Sequence, residues 1–151
     1  MKKVLVVLAV LIGIGVVGFG VLQLLPFGKN HTNPPVISEP KWDNPRTRQV
    51  AKRACFDCHS NETVWPWYSN IAPISWLVQN HVDEGRERLN FSEWTGQIQR
   101  GRRTEEALSK IKETVLEGEM PMGQYVLIHP EARLTSEDIN VLLQGLSTAS
   151  G

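Results

Sequence analysis

The sequence predicts a small all-α domain, residues 44–146, carried on one N-terminal transmembrane helix. Three observations lead there. Val4 to Leu25 holds 22 residues without a charged side chain, and three later segments repeat apolar residues at helical spacing. No pair of alternating segments suggests a sheet, and Tyr125 to Ile128 is too short to found one. A length of 151 residues suits one ordinary domain. Sixteen Lys and Arg balance sixteen Asp and Glu, a neutrality that argues against a nucleic-acid partner. Two cysteines are too few for a disulfide framework.

The apolar run, as a helix, is long enough to cross a hydrocarbon core of about 30 Å. It exceeds the apolar core of a cleaved signal peptide, and no small-x-small cleavage site follows it, so residues 1–25 read as a retained membrane anchor. No cysteine near its end offers a lipid attachment point. Lys2 and Lys3 precede the run and should stay cytoplasmic, which sends the rest of the chain outward. The expected location is a bacterial inner membrane, crossed once, with the domain periplasmic. Residues 26–43 contain Pro26, Pro34, Pro35 and Pro40 without apolar periodicity and read as a semi-extended linker. Residues 147–151 read as a flexible tail.

Within the domain, Asn44-Pro45 is a helix start, with Asn as cap and Pro at the first helical position, and the helix runs towards Cys55. Ser69 to Pro73 reads as a turn. A second helix follows, with Ile74, Leu77, Val78 and Val82 on one face and Gly85 as its expected end. A third begins at Thr104, buries Leu108, Ile111 and Val115, and closes at Gly118. Thr135 and Asp138 form a capping box for the last, whose Ile139, Leu142, Leu143 and Leu146 share a face. The stretches Ser60–Ser69 and Glu119–Leu134 are long for loops of a plain bundle, so something other than helix contact should organise them.

Cys55-Phe-Asp-Cys58-His59 fits C-x-x-C-H, the attachment sequence for c-type haem. Two thiols three residues apart on a helical turn can each add across a haem vinyl group, and the adjacent histidine is then aimed at the iron. The domain's expected side of the membrane suits that chemistry. A thiol redox pair would sit near a βαβ pattern, and a Cys2His2 zinc site needs closely spaced histidines; neither is present. The expected cofactor is therefore one haem c per chain, covalent through Cys55 and Cys58, with His59 as an axial ligand.

For the sixth iron position the candidates are Met120, Met122, His81 and His129. Met120 is preferred, because Met/His ligation is typical of cytochromes c and Met120-Pro121 follows a helix end at Gly118, where a side chain can be aimed freely. His81 lies on an apolar helix face and reads as a core histidine, and His129 as a turn residue or propionate contact. His31, in the linker, suggests no function. All five tryptophans fall between residues 42 and 94, and packing is their default role. Arg86, Arg88, Arg100, Arg102 and Arg103 read mostly as solvated surface, with one or two available to haem propionates or a docking partner.

The runs CFDCHSNETVWPWYSNIAPISWLVQNHVDEGRERLNFSEW (Cys55 to Trp94) and MPMGQYVLIHPEARLTSEDI (Met120 to Ile139) resemble a bacterial haem-binding domain family of small, usually membrane-anchored proteins. The resemblance covers most of residues 44–146, and S-N-E-T-x-W-P-W-Y is far more specific than C-x-x-C-H alone. It implies covalent haem on Cys55 and Cys58 with His59 on the iron. It fits a cytochrome c-like plan as well, in which the last helix packs on the first helix of the domain and a Met-Pro loop supplies the distal ligand, here Met120.

The expected function is single-electron transfer outside the cytoplasmic membrane, to and from a redox partner protein. No nucleophile–base pair or phosphate-binding loop argues for an enzyme. Two rivals are a haem sensor or small peroxidase with an open or exchangeable sixth position, and a haem-bearing subunit that serves mainly to assemble a larger membrane complex.

Overall fold

The computed structural model describes residues 1–95 and 104–148. Among them are seven α-helices and no strand. They are α1 (Lys2–Leu24), α2 (Pro45–Ala54), α3 (Phe56–His59), α4 (Ile74–Arg88), α5 (Thr104–Leu116), α6 (Gly123–Ile128) and α7 (Ser136–Ser147), with 3-10 turns at Trp67–Asn70 and Pro130–Ala132. The all-α expectation holds, and α1 is long and apolar enough to cross a membrane.

The chain divides into two compact units, Met1–Thr32 with Trp65–His81, and Asn33–Val64 with Val82–Gly151. Helix α4 gives its first half to one and its second half to the other. In the first unit, residues 27–31 lie along the start of α4: Phe27 meets Trp76 edge-on at 6.4 Å, and His31 stacks on Trp65 at 4.4 Å.

The second unit is built on the crossing of α2 and α7. Asn44 caps α2 by accepting from the backbone N–H groups of Arg46 and Thr47, and Pro45 opens it. The Thr135–Asp138 capping box opens α7. Where the helices meet, a Cβ on Gly145 would collide with Asp43 and Thr47, so the absence of a side chain sets how closely they approach. Val50, Ala51, Leu142 and Leu146 are buried in a core shared with Ile111 and Val115 of α5. The core is completed by Phe56, Phe91 and Trp94, whose rings stack in sequence at 5.5 and 6.0 Å, with Trp42 tilted against the first two. Residues 33–40 run along this unit: the Ile37 and Ser38 amides donate to Ser92 O, and Trp94 N donates to Ser38 O.

Gly118 ends the segment after α5 with φ +72°, a left-handed conformation that favours glycine. Gly85 does not end α4, which continues to Arg88. Its φ is not positive, and its small size serves contact instead, as described below. Residues 119–134, expected as a long loop, hold α6 and a 3-10 turn. Arg100, Arg102 and Arg103 lie outside the described residues.

Arg53 of α2 donates to the carbonyls of Glu131 and Arg133 and pairs with Asp138 at 2.6 Å, so the capping box of α7 is also an ion pair to α2. The Arg53 guanidinium and the Thr135 donors hold the Asp138 carboxyl down at about 2. A carboxyl that titrates lower when folded stabilises the fold above its unfolded value and loses that contribution as pH falls through the folded one. Asp138→Asn should therefore destabilise the chain at neutral pH, the gap from wild type closing as pH falls from about 4 to about 2. Urea denaturation followed across this range reads the effect.

Candidate haem site

The C-x-x-C-H motif occupies the end of α2 and the single turn of α3. Cys55 closes α2 by donating its N–H to Ala51 O, and His59 N donates to Cys55 O, so the motif winds into one helical turn. Phe56, the motif's first intervening residue, is buried in the aromatic stack and fixes the face of that turn. Both cysteines are free thiols, with no disulfide between them. Burial pushes the Cys55 thiol up to about 12 and the Cys58 thiol up to about 11. They are thus protonated at neutral pH, unlike the activated thiolates of a redox pair.

The second half of α4 presses on this turn. A Cβ added to Gly85 would strike the carbonyl oxygen of Cys58 and come within 2.9 Å of its carbonyl carbon, so glycine alone permits the approach. Because the helix lies so close, a carbonyl of its last turn and one just beyond its end reach His59. Nδ1 is 2.9 Å from Gly85 O and 3.1 Å from Leu89 O. Carbonyls only accept, so Nδ1 carries the proton and Nε2 is left with its lone pair. Nε2 makes no hydrogen bond among the described residues. Burial pushes the imidazole below its ordinary value, against the two carbonyls that favour the charged form, and keeps it neutral. A neutral ring of fixed tautomer is what an iron ligand requires.

The S-N-E-T run is scaffolding for this turn. Ser60 Oγ donates to Phe56 O and accepts from Glu62 N. Asn61 accepts from Asn90 and donates to Pro35 O, while Asn90 also accepts from Ser92 N. Glu62 shares Arg48 with Glu39, at 2.7 and 2.6 Å. Thr63 Oγ1 donates to Asp57 O. Arg86, expected mainly as solvated surface, is bound within this layer: it donates to Ser60 O, Asn33 and Thr63 at 2.8–2.9 Å.

Asp57, the motif's second intervening residue, was not singled out by sequence. Its Oδ1 accepts from Val64 N at 2.9 Å, and its Oδ2 accepts from the Tyr125 hydroxyl at 2.6 Å. That bond fastens α6 to the motif. The preceding Met120-Pro121-Met122 segment runs between α5 and α6: Met120 N donates to Thr114 O, and Met122 is the N-cap residue of α6. Both methionines are half-buried. His129 stacks on Tyr125 at 4.3 Å and meets Glu131 through Nδ1 at 3.1 Å, so it is a turn residue as expected. His81 belongs to the first unit and the motif to the second.

The donor set fits haem better than a chelated ion. Among the described residues no three His, Cys, Asp or Glu side chains gather as a metal cluster. One neutral histidine beside two protonated thiols on a single helical turn suits iron already held in a porphyrin ring. An all-α domain with such a turn belongs to the class of small haem proteins. The chain is a member of the haem-binding domain family, whose profile matches residues 17–148. No curated protein and no solved structure matches it.

Gly85→Ala should force α4 off the motif, costing about 1–3 kcal/mol of stability as overpacked sites do. Urea denaturation measures the loss, and unchanged stability would show that Cys58 yields without cost.

Proposed function

We propose that this chain is a membrane-anchored monohaem c-type cytochrome that carries single electrons on the outer side of a bacterial inner membrane. The observation that carries the reading is His59, a half-buried neutral imidazole with Nδ1 fixed by two backbone carbonyls, one residue from a free thiol pair. Cys55 and Cys58 would hold the haem through thioether bonds, and His59 would supply Nε2 to the iron. The haem contributes a one-electron iron couple; everything else is the work of the chain. Gly85 and Leu89 orient His59 and raise its basicity as a ligand. The Phe56–Phe91–Trp94 stack supports the motif from behind and helps keep water from it.

Met120 is the proposed distal ligand. Supporting it are the anchoring of its backbone to Thr114 and the tie between α6 and Asp57, which hold the Met-Pro-Met segment at both ends. With His59 and Met120 as ligands the iron would have no open position, which supports the reading as a carrier for a redox partner over that as an enzyme. Helix α1 anchors it with the N-terminus cytoplasmic, as Lys2 and Lys3 favour.

In protein matured with a cytochrome c assembly system, haem should stay with the polypeptide through acidified acetone. Cys55→Ala with Cys58→Ala should release it, and wild type that releases all its haem overturns the covalent reading.

Met120→Ala should turn a low-spin iron high-spin and open it to carbon monoxide, unless Met122 takes over. Absorption spectra of the Met120→Ala, Met122→Ala double variant decide that point, and an unchanged spectrum removes both methionines. Wild type that binds carbon monoxide at once on high-spin iron would make the protein a sensor or peroxidase instead.

A further inference from the structure

The first compact unit, which does not contain the C-x-x-C-H motif, carries an exposed apolar surface. It starts with Gln23, on the last turn of α1, where an amide needs partners that lipid cannot provide. Gln23 finds both in one residue: Nε2 donates to Ala72 O at 3.0 Å, and Oε1 accepts from Ala72 N at 2.9 Å. Just beyond the helix, Gly28 has φ +68°, and a Cβ there would lie 2.6 Å from the backbone of Ser75 and Trp76. Phe27 meets Trp76, His31 stacks on Trp65, and His31 Nε2 lies 3.0 Å from Ser69 O. Residues 65–76 are thereby tied at several points to the chain that leaves the apolar helix.

The same segment leaves large apolar groups uncovered. Trp67 is 76% exposed, Phe27 62%, Leu77 54% and Ile74 47%. Ile74 and Leu77 lie one turn apart on α4, so the apolar periodicity seen in the sequence points outward here and not into a core. Scattered exposed apolar residues are ordinary. These four belong to one unit that is bound to the end of a membrane-length helix, and aromatic rings concentrate at headgroup depth in membrane proteins.

We propose that Phe27, Trp67, Ile74 and Leu77 form a lipid-facing surface that rests in the interfacial zone of the bilayer and holds residues 65–77 against the membrane. The inference rests on the proposed anchoring by α1. Continuity with that helix identifies the occupant as phospholipid at the headgroup–acyl boundary.

The test uses the full chain labelled with 5-fluorotryptophan in phosphatidylcholine nanodiscs. The Trp67 fluorine resonance is assigned by its loss in Trp67→Phe, a change at a largely exposed site that keeps an aromatic ring against Tyr68. A lipid bearing a nitroxide near its headgroup should erase this resonance, and a water-soluble gadolinium chelate should spare it. The reverse pattern overturns the proposal. Resistance to both agents also overturns it, since protein would then cover the surface, either a second copy or a partner. Alkaline carbonate extraction of native membranes separates the two readings: release of the chain overturns anchoring and surface together. Retention with Trp67 open to the chelate overturns the surface alone.

Discussion

The site depends on one close approach, that of Gly85 to the carbonyl of Cys58. Helix ends leave carbonyls without intrahelical partners, and such groups must find donors elsewhere. At the end of α4, Gly85 O accepts from Leu89 N, and the backbones are close enough for His59 Nδ1 to reach both Gly85 O and the Leu89 O just beyond the helix. The negative end of the helix dipole adds to the pull on the Nδ1 proton. Phe91 N donates in turn to His59 O, so the residues just after the helix hold the histidine backbone while the helix holds its ring. A side chain at residue 85 would separate all of these at once.

A buried polar layer stands behind the motif, and it behaves as a unit. Asn61, Asn90 and Ser92 exchange hydrogen bonds across about thirty residues of sequence, in a place where an unpaired amide would be costly. Arg48 completes the layer: it spans Glu39 and Glu62 and lies over the Phe56 ring at 5.3 Å. The Arg48 partner holds the Glu39 carboxyl below its usual range. Residues 33–40, which composition alone presents as a proline-rich spacer, thus supply Pro35 O, Ser38 and Glu39 to the unit that contains the C-x-x-C-H motif.

The sequence made some of this legible because the signals were local. Asn44-Pro45 and Thr135-x-x-Asp138 start helices through contacts within four residues, and C-x-x-C-H is itself a single turn. Gly118 was readable as a helix end because its left-handed backbone is a property of one residue. Gly85 was misread by the same rule: a glycine inside an apolar pattern looks like a stop, and only the distant Cys58 backbone shows why it is there. Trp67 was expected to pack because tryptophans usually do, yet it is largely exposed. Tyr125 to Ile128 carries β-branched and aromatic residues and forms a helix nonetheless, an example of tertiary contact overriding local preference.

Asp57 shows why the intervening residues of the motif are not free. The attachment chemistry needs only the cysteines and the histidine, so sequence reasoning gives the two positions between them no task. Phe56 points inward to the aromatic stack, and Asp57 serves contacts on two sides. One carboxylate oxygen holds Val64, where the S-N-E-T run ends, and the other holds Tyr125, across 68 residues of chain. Burial and the Asp57 carboxylate raise the Tyr125 hydroxyl well above its ordinary value, which keeps it a donor. Met122 caps the helix that carries Tyr125, and Met120 lies two residues before it. The turn that presents His59 therefore also positions the Met-Pro-Met segment, and a change at Asp57 would be felt at both without touching His59 or Met120.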